Sequence, residues 1–185
     1  MENRVSPWKA NLNAGLILGL IGIIWTLIMW FLDQTTNRTM GWIFFIVLII
    51  GLFFGIKSYR DKYLNGFITY GQSLGSGVII MIYYSIISAI FTYILYKFID
   101  PNLTDKMLAL AEEQLVGRGM SESLIEQSMQ IQKKVMTPLV MSLSSILSGV
   151  FFGTILSLII SLFTKREGNP LIDEKVAEEK EEESK

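Results

Sequence analysis

Four long stretches of this chain contain no Asp, Glu, Lys or Arg, and no other feature limits its possible folds as strongly. A charge at the centre of a bilayer costs ~2.5–3.5 kcal/mol, and a spanning helix needs about 20 mostly apolar residues. The charge-free stretches cover residues 10–32, 39–56, 63–96 and 135–164. They predict an all-α integral membrane protein, a four-helix bundle. The predicted spans lie at about 10–32, 40–57, 70–97 and 138–163.

The connection between the third and fourth predicted spans is too long for a simple loop and has helical patterning. Thr104 is a candidate helix cap, Gly117 and Gly119 are candidate stops, and Ser123 with Glu126 has capping-box spacing. Apolar residues share one helical face at Leu103, Met107, Leu108, Ala111 and Leu115. We therefore predict an extracytoplasmic helical hairpin at about 103–136. The apolar face of each helix could pack against the other helix of the hairpin or against the membrane surface. Alternatively, the hairpin could dock a partner.

Residues 1–166 form the predicted membrane domain, and the remainder differs sharply in composition. Residues 167–185 are rich in Glu and Lys and contain no aromatic residue. Such a segment buries too little apolar surface to fold alone. It is predicted to be a disordered acidic cytoplasmic tail.

Short motifs predict where the spans begin. Thr69 and Gln72 have the spacing of a capping box, and Asn65-Gly66 just before them favours a turn. Thr137 followed by Pro138 is typical of a helix start. A kink at Pro138 within one longer helix is the alternative.

The distribution of basic residues predicts the orientation of the chain. Arg4, Lys9, Lys57, Arg60, Lys62, Lys165 and Arg166 flank the ends that share a side with the termini. The opposite side has Arg38 in its short loop, and acids dilute the bases of its long connection. Because cytoplasmic loops are enriched in Lys and Arg, both termini are predicted to be cytoplasmic.

The amino-acid composition excludes most common kinds of catalytic site. The chain has no Cys and no His, which excludes thiol nucleophiles, disulfides and the commonest general base and metal ligand. None of the predicted spans places an ionisable residue at its centre, where such residues are usually functional. Nucleotide-binding and zinc-protease motifs are lacking, as is a basic face for nucleic acid. We expect no enzyme activity, no cofactor, no metal and no nucleic-acid partner.

Small residues recur four apart within the spans and are candidates for helix packing, since they let helix backbones approach closely. They are Gly15, Gly19, Gly51, Gly55, Gly71, Gly75, Ser145, Gly149, Gly153 and Ser157. The packing could lie within one chain or in a homo-oligomer. Alternatively, Ser142 and Ser148 with Gln72 could line a polar path.

Four segments follow one another along the chain: VSPWKANLNAGLILGL, KSYRDKYLNGFITYGQSLGSG, FTYILYKFIDP and LVGRGMSESLIEQSMQIQKKVMTP. In this order they resemble an uncharacterised bacterial family, domain-of-unknown-function family 4199. The resemblance covers about Val5 to Arg166. It implies a small multi-pass protein of the inner membrane with four spans and an extracytoplasmic helical pair. It implies no activity and no catalytic residues.

Three functional hypotheses follow. The first is a non-enzymatic membrane protein, in contact with the lipid bilayer, that acts by packing with itself or with other membrane proteins. The second is a small transporter or channel component with a Ser-lined path in the fourth span. The third is a membrane enzyme that uses Tyr59, Arg60, Asp61 and Lys62, although these residues are better explained as positive-inside anchors.

Overall fold

A computed structural model describes residues 5–168, and its helices confirm the predicted all-α class. The helices are α1 Pro7–Phe31, α2 Arg38–Tyr63, α3 Tyr70–Ile94, α4 Asn102–Gly117, α5 Glu122–Val135 and α6 Pro138–Thr164. α3 continues into a π-helical turn, Leu95–Ile99. Helices α1, α2, α3 with its turn, and α6 are each long and apolar enough to cross a membrane. The chain is a multi-pass membrane protein built on a four-helix bundle.

Helix α3 lies at the centre of the bundle. It packs mainly against α6 and α1, and α2 completes the bundle with fewer contacts. The core includes Leu18, Leu52, Ile56, Ile80, Leu156 and Ile160. Helix α2 buries residues only in its second half, from Leu52 to Tyr59. The bundle is therefore closed most tightly near the end that carries both termini.

The predicted helix starts of α3 and α6 are confirmed. The Thr69 hydroxyl accepts from the Gln72 amide, and the Gln72 side chain accepts from the Thr69 amide, which is a complete capping box. Asn65 and Gly66 form the preceding turn with φ values of 51° and 83°. At the other end of the bundle, α5 stops at Val135 and α6 starts at Pro138. Two separate helices, rather than one kinked helix, meet at this proline.

The hairpin forms, but its helix starts differ from those predicted. Helix α4 begins at Asn102, so Thr104 lies inside it. Ser121, not Ser123, precedes α5, because the Ser121 carbonyl accepts from the amides of Leu124 and Ile125, at 3.0 Å each. The predicted capping box of Ser123 and Glu126 is therefore wrong. The predicted tail lies outside the described residues except for its first two.

Candidate functional site

An antiparallel interface of small and hydroxyl residues joins α3 to α6, and we call it the seam. Its paired residues are Ser73 with Thr164, Gly77 with Ser157, Met81 with Gly153, and Ser85 with Gly149. The two hydroxyls of the first pair lie 2.6 Å apart. From Gly77 with Ser157 onwards, each pair moves four residues along both helices, which is about one helical turn. Small residues at every turn let the two backbones approach closely along most of their length.

The predicted small residues of α1 and α2 also face neighbouring helices. A Cβ atom at Gly15 would overlap Tyr83, and a Cβ atom at Gly19 would lie 2.9 Å from Ile87. Gly51 lies against Leu18. A Cβ atom at Gly55 would lie 2.9 Å from Ile80 and 3.3 Å from Ala14. These positions bring α1, α2 and α3 together.

Gly71 and Gly75 behave differently from the other predicted glycines. A Cβ atom at either position would meet nothing within 4 Å among the described residues. Both lie near the start of α3, and neither takes part in a close helix contact within the described chain. Ser145 is half-buried, and its hydroxyl donates to the carbonyl of Ser142 at 2.7 Å. Ser157 likewise donates to the carbonyl of Gly153 at 2.7 Å.

A buried polar contact between α1 and α3 was not predicted. Asn11 is fully buried. Its Nδ2 donates to the Pro7 carbonyl at 2.9 Å, and its Oδ1 accepts from the Ser76 hydroxyl at 2.7 Å. The available signal was helical spacing, since Asn11 lies one turn before Gly15 on the same face.

The residues proposed for a polar path do not meet. Gln72 is exposed in the capping box, Ser148 is exposed on α6, and Ser142 donates to the Leu139 carbonyl at 2.8 Å. Within the described part of the chain, the buried hydroxyls of Ser85 and Ser161 have no hydrogen-bond partner. In the seam register they lie about 18 Å apart along the helices. They do not form one continuous polar line.

At the end of α2, Arg60 joins this helix to the end of α6. Arg60 donates from Nε to Asp61 at 2.7 Å and from Nη1 to the carbonyl of Thr164 at 3.3 Å. The backbones of Ile68 and Arg166 exchange two hydrogen bonds of 2.9 Å. We call Arg60, Ile68, Thr164 and Arg166 the clasp. Arg60 satisfies one of the carbonyls that the end of α6 leaves without a helical partner.

The opposite end of the bundle is held by contacts between loops and the hairpin. The Trp30 indole donates to Asp100 at 3.1 Å, and Lys106 forms a 3.0 Å ion pair with Asp33. The hydrogen bond from Lys106 to the Asp33 carboxylate raises the pKa of this lysine. Both ion-pair partners remain largely exposed to solvent.

Helix α5 carries two apolar faces, and only one of them is covered. Met129 is buried and Ile125 half-buried on the face turned to the rest of the chain. Leu124, Ile131 and Val135 are 48%, 59% and 49% exposed. Their spacing of seven and four residues places these three on one face, which we call the outer stripe.

Within residues 5–168, no three or more His, Cys, Asp or Glu residues cluster in a way that could hold a metal ion. Among known proteins, the profile of the family described as "Protein of unknown function (DUF4199)" matches residues 13–166. This match covers most of the chain, so the chain belongs to that family. No curated protein and no solved structure matches it.

Proposed function

We propose that this member of the DUF4199 family is a non-enzymatic inner-membrane protein that acts by packing with itself or with another membrane protein. In this proposal both termini are cytoplasmic and the hairpin lies outside. Lys9, Lys57, Lys62, Lys165 and Arg166 at the end with the termini support that orientation.

The outer stripe carries the proposal. It places three large apolar side chains on the uncovered face of α5, outside the four spans. Contiguous exposed apolar surface of this kind marks sites of protein or membrane interaction. An amphipathic helix in a hydrophobic groove is a common recognition mode, with contacts at the spacing that Leu124, Ile131 and Val135 show. The exposure of all three side chains leaves the stripe accessible to a partner.

The interior of the bundle supports a packing role rather than chemistry. The seam and the contact of Asn11 with Ser76 use their polar groups to join helices. The transporter hypothesis depends on Gln72, Ser142 and Ser148, which do not come together, so no specific observation favours it.

Site-specific photocrosslinking in intact cells tests the proposal. A photoreactive amino acid at Ile131 is expected to give a protein adduct of defined mass, because the outer stripe contacts its partner. The same amino acid at Glu126 is the matched control, since this exposed residue lies on another face of α5. A second substitution, Val135→Asp, should abolish the Ile131 adduct by placing a charge in the interface.

The mass of the adduct distinguishes a second copy from a different protein. Equal adducts from Ile131 and Glu126 would contradict a defined interface. Adducts with lipid alone would also contradict the proposal, because they would show that the outer stripe rests on the membrane.

A further inference from the structure

A groove of about 290 Å³ runs along the outside of α1 and α2 in the half of the bundle that carries the termini. Leu18 lies against Gly51 and Ala14 against Gly55, so the two helices meet closely at its floor. The groove extends along α2 from Gly51 to Tyr63, which is about 18 Å of helix. Half of a ~30 Å hydrocarbon core is about 15 Å. The groove therefore has the depth of one membrane leaflet.

The chemistry of the groove changes along its length. Its deep part is lined by Ile17, Leu18, Ile21 and Phe54, all apolar. Towards the end of the bundle, the lining changes to Asn13, Ser58, Tyr59, Lys62 and Tyr63. Tyrosine and lysine at this depth are typical of the membrane interface. An apolar channel with a polar, basic mouth matches the two parts of a phospholipid.

The charge of the mouth is positive. Lys62 lines the groove, and the neighbouring Asp61 is engaged by Arg60 at 2.7 Å. Among the described residues, no carboxylate lines this groove. Lys9 lies one turn before Asn13 on the same face of α1 and adds a second cation near the mouth. Basic pockets between membrane helices favour anionic lipid headgroups.

We infer that the groove between α1 and α2 binds an anionic phospholipid, with one acyl chain along Ile17, Ile21 and Phe54 and the headgroup phosphate at Lys62. This lipid site is separate from the outer stripe and goes beyond the packing function proposed above. A second cavity, beneath the hairpin, also has a lysine in its lining. That residue, Lys97, has its ammonium 5.5 Å from the centre of the Tyr93 ring, so its charge already has a partner.

Native mass spectrometry of the purified full chain in mild detergent tests the inference. Phosphatidylglycerol and phosphatidylcholine with identical acyl chains are titrated separately. We expect tighter binding of phosphatidylglycerol and a Lys62→Gln variant that binds it about fivefold more weakly, the effect of one basic side chain at an anionic surface. Lys57→Gln is the matched control, because Lys57 is exposed on the same helix but does not line the groove. Its affinity should stay unchanged.

A second pair of variants tests whether the lipid occupies the groove itself. Ser58→Phe fills the groove without changing charge and should weaken binding of both lipids. Ser148→Phe places the same side chain at an exposed position of α6, outside the groove, and should have no effect. Thermal unfolding of each variant shows whether it is folded, so a lost site can be told from a lost fold.

Several results would overturn the inference. They are equal affinity for the two lipids, equal effects of Lys62→Gln and Lys57→Gln, and unchanged binding by Ser58→Phe. Displacement of the lipid by inorganic phosphate would show a simple anion site in place of a lipid groove. A dimer that retains no lipid would show that a second copy occupies the groove.

Discussion

The two ends of this bundle are stabilised in opposite ways. At the end with the termini, the clasp joins α2 to α6 and the loop before α3 to the end of α6, and buried groups such as Asn11 and Ser73 complete the contacts. At the other end, the Trp30 indole bonds to Asp100 just before the hairpin, and Lys106 of the hairpin forms an exposed ion pair with Asp33. The outer stripe of the hairpin stays uncovered. The end with the termini is closed by contacts within the chain, whereas the hairpin end leaves the apolar outer stripe exposed. The difference supports the proposal that the hairpin end contacts a partner through its outer stripe.

The largest expected effect comes from overfilling the seam. Gly77→Leu would place a side chain where Ser157 lies and where Ile56 approaches to 3.0 Å. We expect the free energy of unfolding to fall by roughly 3 kcal/mol, the upper end of the range for overpacked cores. Reversible unfolding in mild detergent measures the change. Gly75→Leu is the control, since a Cβ there meets nothing within 4 Å. Equal losses in the two variants would contradict the close seam.

Removing the buried amide at the end with the termini should have the next largest effect. Asn11→Ala leaves the buried Ser76 hydroxyl without its 2.7 Å partner. An unsatisfied buried polar group costs about 1–3 kcal/mol, and we expect a loss of stability in the lower part of that range. The double variant Asn11→Ala with Ser76→Ala should recover part of this loss in the same unfolding assay. A double variant whose loss equals the sum of the single losses would show that the two groups do not interact.

The hydroxyl pair of the seam should contribute less. Hydrogen bonds between membrane helices average ~0.6 kcal/mol in double-mutant cycles. A cycle of Ser73→Ala and Thr164→Val should give a coupling free energy of about that size, because their hydroxyls lie 2.6 Å apart. The corresponding cycle of Ser142→Ala with Ser148→Ala, two hydroxyls without a shared bond, should give none. A coupling of equal size in both cycles would remove the special role of the seam.

The smallest effect is expected at the hairpin end. Lys106→Ala removes an ion pair whose partners are both largely exposed, and such pairs add little stability. We expect no measurable change in unfolding temperature at neutral pH. The Asp33 carboxylate raises the lysine pKa. Any contribution of the pair is therefore complete below the pKa of an unfolded lysine and is lost only as the pH rises through the higher folded value. A clear loss at neutral pH would contradict the comparison of the two ends.

The four spans could be predicted from sequence because charged residues are excluded from the bilayer core and because helix caps have local sequence patterns. The charge-free stretch of residues 63–96 and the Thr69–Gln72 capping box predicted the start of α3 at Tyr70. Which glycines pack could not be predicted, since Gly75 and Gly77 are both small residues in one helix and only the position of α6 distinguishes them. The contact of Asn11 with Ser76 could not be predicted either, because Ser76 is distant in sequence and only the packing of α1 on α3 brings the two together. The start of α5 was predicted wrongly because Ser121 and Ser123 are both acceptable caps. In the structure Ser121 precedes the helix, with an extended backbone.

Cysteine accessibility tests most directly the central claim that the clasp and the outer stripe lie on opposite sides of a membrane crossed four times. The chain has no natural cysteine, so Lys62→Cys, Ile131→Cys and Ser148→Cys each give a single reporter. In intact cells a membrane-impermeant maleimide should label position 131 alone. Position 62 should react only after permeabilisation, and position 148 should stay unreactive within the bilayer. Labelling of positions 62 and 131 from the same side would contradict the account.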